Sequence, residues 1–102
     1  GMTLALGNVK YETADRSVVI DEVVTQFSKR ELALLELFLR KTERVVSKDA
    51  IENALYGFDE TATPNAIEVL THRLRKKLID KGASIEIHNL RGIGYVLREN
   101  RK

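Results

Sequence analysis

Three pairs of turn formers, Gly7-Asn8, Asp15-Arg16 and Asp21-Glu22, cut the first 27 residues into short runs rich in Val, Thr, Tyr and Leu. Thr3–Leu6, Val9–Thr13, Ser17–Ile20 and Val23–Phe27 read as strands. A parallel pair needs a crossover of about a dozen residues or more, and none of these gaps approaches that length. The opening of the chain is therefore expected to be an antiparallel meander.

The period then changes. In FSKREL, Ser28 is an N-cap, Glu31 completes a capping box, and Phe27 and Leu32 occupy the staple positions. Leu32, Leu35, Phe38 and Leu39 follow at spacings of three and four, so Ser28–Lys41 reads as an amphipathic helix. Ser47 caps a shorter helix, with Val46 and Ile51 as its staple and Gly57 as its stop. Thr63 caps a third, with Pro64 at its first position; it is expected to run to Lys81 and to end at Gly82. IEIHN and YVLR alternate around RGIG and predict a hairpin over residues 85–98. The order is strands, three helices, hairpin: an α+β fold in one domain, as 102 residues suggest.

No apolar run reaches the roughly 20 residues of a membrane helix, and the first residues lack the charge pattern of a signal peptide. Gly1 before Met2 reads as an expression scar. The absence of cysteine excludes disulfides and thiolate chemistry and fits a cytoplasmic protein. His72 and His88 lie too far apart to nominate a metal site, and no cofactor motif is present. Nor is there a nucleophile elbow, a P-loop or a convincing carboxylate pair. Glu31, Glu36 and Glu43 are expected to line a solvated helix face.

The net charge of +2 conceals a split. Residues 1–64 carry 8 Lys/Arg and 11 Asp/Glu, whereas residues 65–102 carry 9 and 4. A basic end on a mildly acidic domain points to a localised anionic partner. On a helical wheel, Ile67, Leu70, Thr71, Leu74 and Leu78 form one stripe. Asn65, Val69, His72, Arg73 and Lys76 share the opposite side, with Arg75 and Lys77 flanking the stripe. Val69 is apolar yet stands among cations. A DNA major groove accounts for this mixture, since it offers guanine acceptors to an Arg fork and thymine methyls to a small apolar group. Arg91, between turn residues and beside Gly92, reads either as an ordinary loop Arg or as one placed to enter a narrow minor groove. The competing reading is a protein-interaction module, which would show weak salt dependence and no DNA shift at low salt.

Taken in order, FSKRELALLELFL, VVSKDAIENALYGFD, NAIEVLTHRLRKKL and LRGIGYVL resemble the C-terminal effector domain of OmpR/PhoB-type response regulators, over about residues 4–98. The resemblance implies a winged helix-turn-helix with an N-terminal four-stranded antiparallel sheet, three helices and a C-terminal hairpin wing. It implies sequence-specific binding of double-stranded DNA for transcriptional control in a two-component phosphorelay. Asn65, Val69, His72, Arg73 and Lys76 then face the major groove, Arg75, Lys77 and Asn89 meet phosphates, and Arg91 enters the minor groove. Tyr95 is expected to pack the wing onto the core. Gly57, Phe58, Asp59, Glu60 and Thr61 fall in the loop where family members touch RNA polymerase. A receiver domain, absent from this chain, normally precedes the domain, which is expected to be a monomer alone and a dimer on direct-repeat half-sites. Leu70 and Ala66 depart from the family's frequent His and Thr, and Asn65 from a frequent Arg, so some backbone contacts are expected to be lost.

Overall fold

A computed structural model describes residues 1–57, 60 and 62–100. Strands β1 (Thr3–Leu6), β2 (Val9–Glu12), β3 (Ser17–Ile20) and β4 (Val23–Thr25) pair antiparallel in chain order. Helices α1 (Lys29–Arg40), α2 (Lys48–Leu55) and α3 (Pro64–Asp80) follow, and β5 (Ile85–Leu90) and β6 (Gly94–Glu99) form the closing hairpin. This is the α+β architecture that the order of elements leads one to expect and the winged helix-turn-helix that the resemblance implies. Strand limits differ slightly: Thr13 lies outside β2, and Gln26 and Phe27 lie outside β4.

Strand register builds the first layer. Val9 pairs with Ile20 and Tyr11 with Val18, and all four are buried. The alternation of side chains leaves Lys10 and Val19, paired with each other, on the opposite face. Leu34, Leu35, Phe38 and Leu39 of α1 join the same core as Ile67, Leu74 and Leu78 of α3 and Ile85, Ile87 and Leu97 of the hairpin.

Local chemistry sets the helix ends. Ser28 Oγ accepts the Glu31 N–H at 3.1 Å, and Glu31 Oε1 accepts the Ser28 N–H at 2.8 Å, completing the capping box. Ser47 Oγ accepts from Ala50 and Thr63 Oγ1 from Ala66, each at 3.0 Å. After α3, Gly82 takes φ +74°. The Ala83 N–H reaches the Leu78 carbonyl at 2.9 Å and the Gly82 N–H reaches Ile79 at 3.1 Å, a Schellman ending.

The three carboxylates do not form a solvated helix face. Glu31 is 7% exposed and its Oε1 also accepts from Lys77 Nζ at 2.9 Å. Glu36 is half-buried and accepts the Tyr11 hydroxyl at 2.8 Å. Glu43 lies beyond α1 at φ +66°, and its N–H donates to the Leu97 carbonyl. Spacing along one helix cannot show the partners that other elements bring.

Burial alone raises the Glu31 carboxyl, but the Ser28 N–H and the Lys77 ammonium outweigh it and hold the group below its ordinary value. Its stabilising effect is complete above the ordinary carboxylate value, about 4.3, and is lost as pH falls through the lower folded-state value. Glu31→Gln keeps an acceptor but removes the charge. It is expected to cost about 1–2 kcal/mol at neutral pH and to make stability less sensitive to acid. Urea melts at neutral pH and at about pH 3 check both effects; a wild-type midpoint at neutral pH would contradict this role.

Candidate nucleic-acid interface

The buried side of α3 is the one the wheel assigns. Ile67, Leu70, Thr71, Leu74 and Leu78 are each no more than 8% exposed, and Thr71 Oγ1 donates to the Ile67 carbonyl at 2.8 Å. That bond satisfies the one polar group in the stripe, which would otherwise be costly to bury. Asn65, His72, Arg73 and Lys76 are exposed, and Val69 stands among them at 39%. The leucines anchor the helix, leaving a guanidinium and an isopropyl group one turn apart in solvent.

The cations of α3 are not equivalent. Lys76 pairs with Asp80 at 3.3 Å, but both side chains are more than half exposed, so the pair is weak and exchangeable. Lys77 departs from the expected phosphate role. Its ammonium binds Glu31 and the Gln26 carbonyl, at 2.9 and 3.1 Å, and stands 5.1 Å from the centre of the Phe27 ring. Lys77 thus ties α3 to the start of α1, because its position at the edge of the leucine stripe directs the stem inward. Arg75 is half-buried in a small cleft it shares with Glu68, Thr71, His72, Asn89 and Tyr95.

The wing meets α3 along that cleft. Asn89, exposed on β5, therefore lies beside Arg75 and His72. Arg91 is exposed at the tip, where the Ile93 N–H closes a turn on the Leu90 carbonyl at 2.8 Å and Gly92 supplies φ +76°. Tyr95 is 3% exposed, and its backbone exchanges hydrogen bonds with Val46 at 2.7 and 2.9 Å. The tyrosine packs the wing onto the core, as expected.

Three further residues border this surface. Lys48, at the start of α2, shares a cleft of about 530 Å³ with Asn89 and Arg91 and pairs with Glu68 of α3 at 3.1 Å. The Glu68 carboxylate holds the Lys48 ammonium above its ordinary pKa. Ile93, 64% exposed beside Arg91, is an apolar tip residue whose signal was its place between two glycines. Arg30 pairs with Glu60 of the loop before α3 at 2.7 Å. Lys48 and Arg30 had no local signal, since both reach this surface only through tertiary packing. In the loop itself, Glu60 Oε1 accepts the Gly57 N–H at 2.8 Å, while Phe58, Asp59 and Thr61 lie outside the described residues.

The family model described as "Transcriptional regulatory protein, C terminal" matches residues 21–97. The chain is 35% identical over 94 residues to the probable transcriptional regulatory protein y4xI of Sinorhizobium fredii, covering 92% of this chain and 42% of that protein. It is 40% identical over 93 residues to the transcriptional regulatory protein QseB of Escherichia coli O157:H7, covering 91% and 41%. The chain therefore spans about two fifths of the length of these relatives. In fold it is similar to the Klebsiella pneumoniae RstA DNA-binding domain solved in complex with the RstA box, with a TM-score of 0.82, 22% identity and coverage of 96% and 98%. Since the family match runs from the last sheet hairpin through the wing, the chain belongs to the C-terminal effector domains of OmpR/PhoB-type transcriptional regulators.

Proposed function

We propose that this domain binds double-stranded DNA sequence-specifically to control transcription, with α3 in the major groove and the wing tip over the adjacent minor groove. The observation that carries this reading is the outward Arg73–Val69 pair above a fully buried leucine stripe. Arg73 is suited to guanine O6 and N7, and Val69 to a thymine methyl. Asn65 and His72 extend the base-facing side. Lys76, Arg75 and Asn89 neutralise or hydrogen-bond phosphates, which supplies affinity but no sequence preference. Arg91 enters the minor groove, where negative potential is enhanced when the groove is narrow.

In the whole protein, this domain acts as the output of a receiver that precedes it, in the cytoplasm. Two copies occupy direct-repeat half-sites, and the loop of Gly57, Phe58, Asp59, Glu60 and Thr61 faces RNA polymerase. The domain performs no catalytic step in this reading. Selection from a random duplex pool, followed by anisotropy titration of selected and scrambled duplexes across salt, tests it. A shared motif, tighter binding to it and a steep salt dependence are expected. No retained duplex at low salt would leave a protein partner as the better account of the exposed face of α3.

A further inference from the structure

A helix about 10–12 Å across fills a major groove about 12 Å wide, so a sugar–phosphate strand runs along each of its sides. On one side of α3 lies the wing cleft with Lys48, Asn89 and Arg91. On the other lies a groove of about 440 Å³, with Asn65, Val69 and Arg73 on one wall and Arg30 and Tyr56 on the other. The Arg30 guanidinium stacks 3.9 Å from the centre of the Tyr56 ring, and its Nη2 donates to Glu60 Oε2 at 2.7 Å. Its Nη1 is buried and has no acceptor among the described residues. The stack fixes the plane of the guanidinium while Glu60 is bound, and the unused Nη1 donor becomes reachable only when the guanidinium turns away from that carboxylate.

Building on the proposed DNA binding, we propose that Arg30 is a phosphate contact and that the Glu60 carboxylate holds its place in the free protein. Binding then exchanges carboxylate for phosphate. The exchange favours DNA because the Arg30 and Glu60 side chains are 38% and 51% exposed, and such pairs hold weakly. A guanidinium can take a phosphate through two parallel hydrogen bonds. The released Glu60 remains bound to the Gly57 N–H, so DNA occupancy frees the Glu60 carboxylate from α1.

Anisotropy with a short mixed-sequence duplex suffices as the test, because backbone contacts do not depend on sequence. Arg30→Gln is expected to lower the slope of log affinity against log salt by about one. That is a roughly three- to fourfold smaller loss of affinity between about 50 and about 200 mM salt. Glu60→Gln retains an acceptor for Gly57 and is expected to bind about two- to fivefold tighter. This gain should vanish when Arg30→Gln is added. A gain that persists without Arg30 is a general charge effect and overturns the exchange. An unchanged slope in Arg30→Gln overturns the contact. Arg30→Lys, which keeps the charge, should restore the slope without full affinity and covers the case in which Arg30→Gln fails to fold; full wild-type affinity in Arg30→Lys counts against the forked contact. Failure of the wild-type chain to bind any duplex at low salt would remove the proposed function itself, a result distinct from binding that ignores Arg30.

Discussion

Gly94→Ala is expected to unseat the wing and to lower stability by about 2–4 kcal/mol. Gly94 opens β6 at φ +154°, pressed against the segment that leads into α2. A Cβ there would collide with the Val46 carbonyl oxygen and come within 2.9 Å of the Val46 carbonyl carbon and Ser47 Cα. These are backbone atoms, so no rotamer change can make room. The same strip carries the paired hydrogen bonds between Val46 and Tyr95. Pushing the strands apart breaks those bonds and lifts a tyrosine that is almost fully buried. Gly92→Ala is the control. Its φ is +76°, but nothing lies within 4 Å of its Cβ position, so it is expected to cost only about 1 kcal/mol of backbone strain. Urea melts separate the two, and near-ultraviolet dichroism reports the loss of tyrosine packing. A Gly94→Ala midpoint equal to that of Gly92→Ala would contradict the close approach as its cause. DNA binding by Gly94→Ala should also lose the contribution of Asn89 and Arg91, whose positions depend on the docked hairpin.

The features legible in the sequence are those encoded within a few residues. Ser28, Ser47 and Thr63 each cap the helix they precede, and Gly82 adopts the left-handed conformation after α3. Periodicity assigned the two sides of α3 because one helix repeats its direction every few residues. The side chains that fix the interface relative to the body follow a different logic. Lys77 and Glu31 are 46 residues apart, Lys48 and Glu68 are 20 apart, and Arg30 and Glu60 are 30 apart. No local pattern pairs them, and a wheel treats each cation as solvent-facing by default. That is why Lys77 was expected at a phosphate, Glu31 in solvent, and Lys48 and Arg30 nowhere in particular. The asymmetry has a physical source. Backbone caps and apolar stripes are set by bonds and burial along one element, whereas ion pairs between elements depend on how those elements cross.

Arg73→Ala is expected to remove about 1–3 kcal/mol of binding free energy on the selected duplex, roughly a 5-fold to 150-fold loss of affinity. Folded stability should change by less than about 0.5 kcal/mol, because the side chain is exposed and, among the described residues, the ion pairs formed by the cations of α3 involve Lys76 and Lys77 instead. The loss should be concentrated on the selected duplex and should relax preference at one base pair, since a fork on guanine is worth more than a fork on any other edge it meets. Lys76→Ala provides the contrast. Its ammonium is already shared with Asp80 and, in the proposed binding mode, neutralises phosphate, so its loss should weaken selected and scrambled duplexes alike and lower the salt slope by about one. Val69→Ser tests the other half of the pair: it keeps a small side chain but loses the apolar surface, so its penalty should fall on sites with a thymine next to the guanine read by Arg73. Equal losses for Arg73→Ala on both duplexes would make it a backbone contact, and the outward face of α3 would then supply affinity without choosing a sequence.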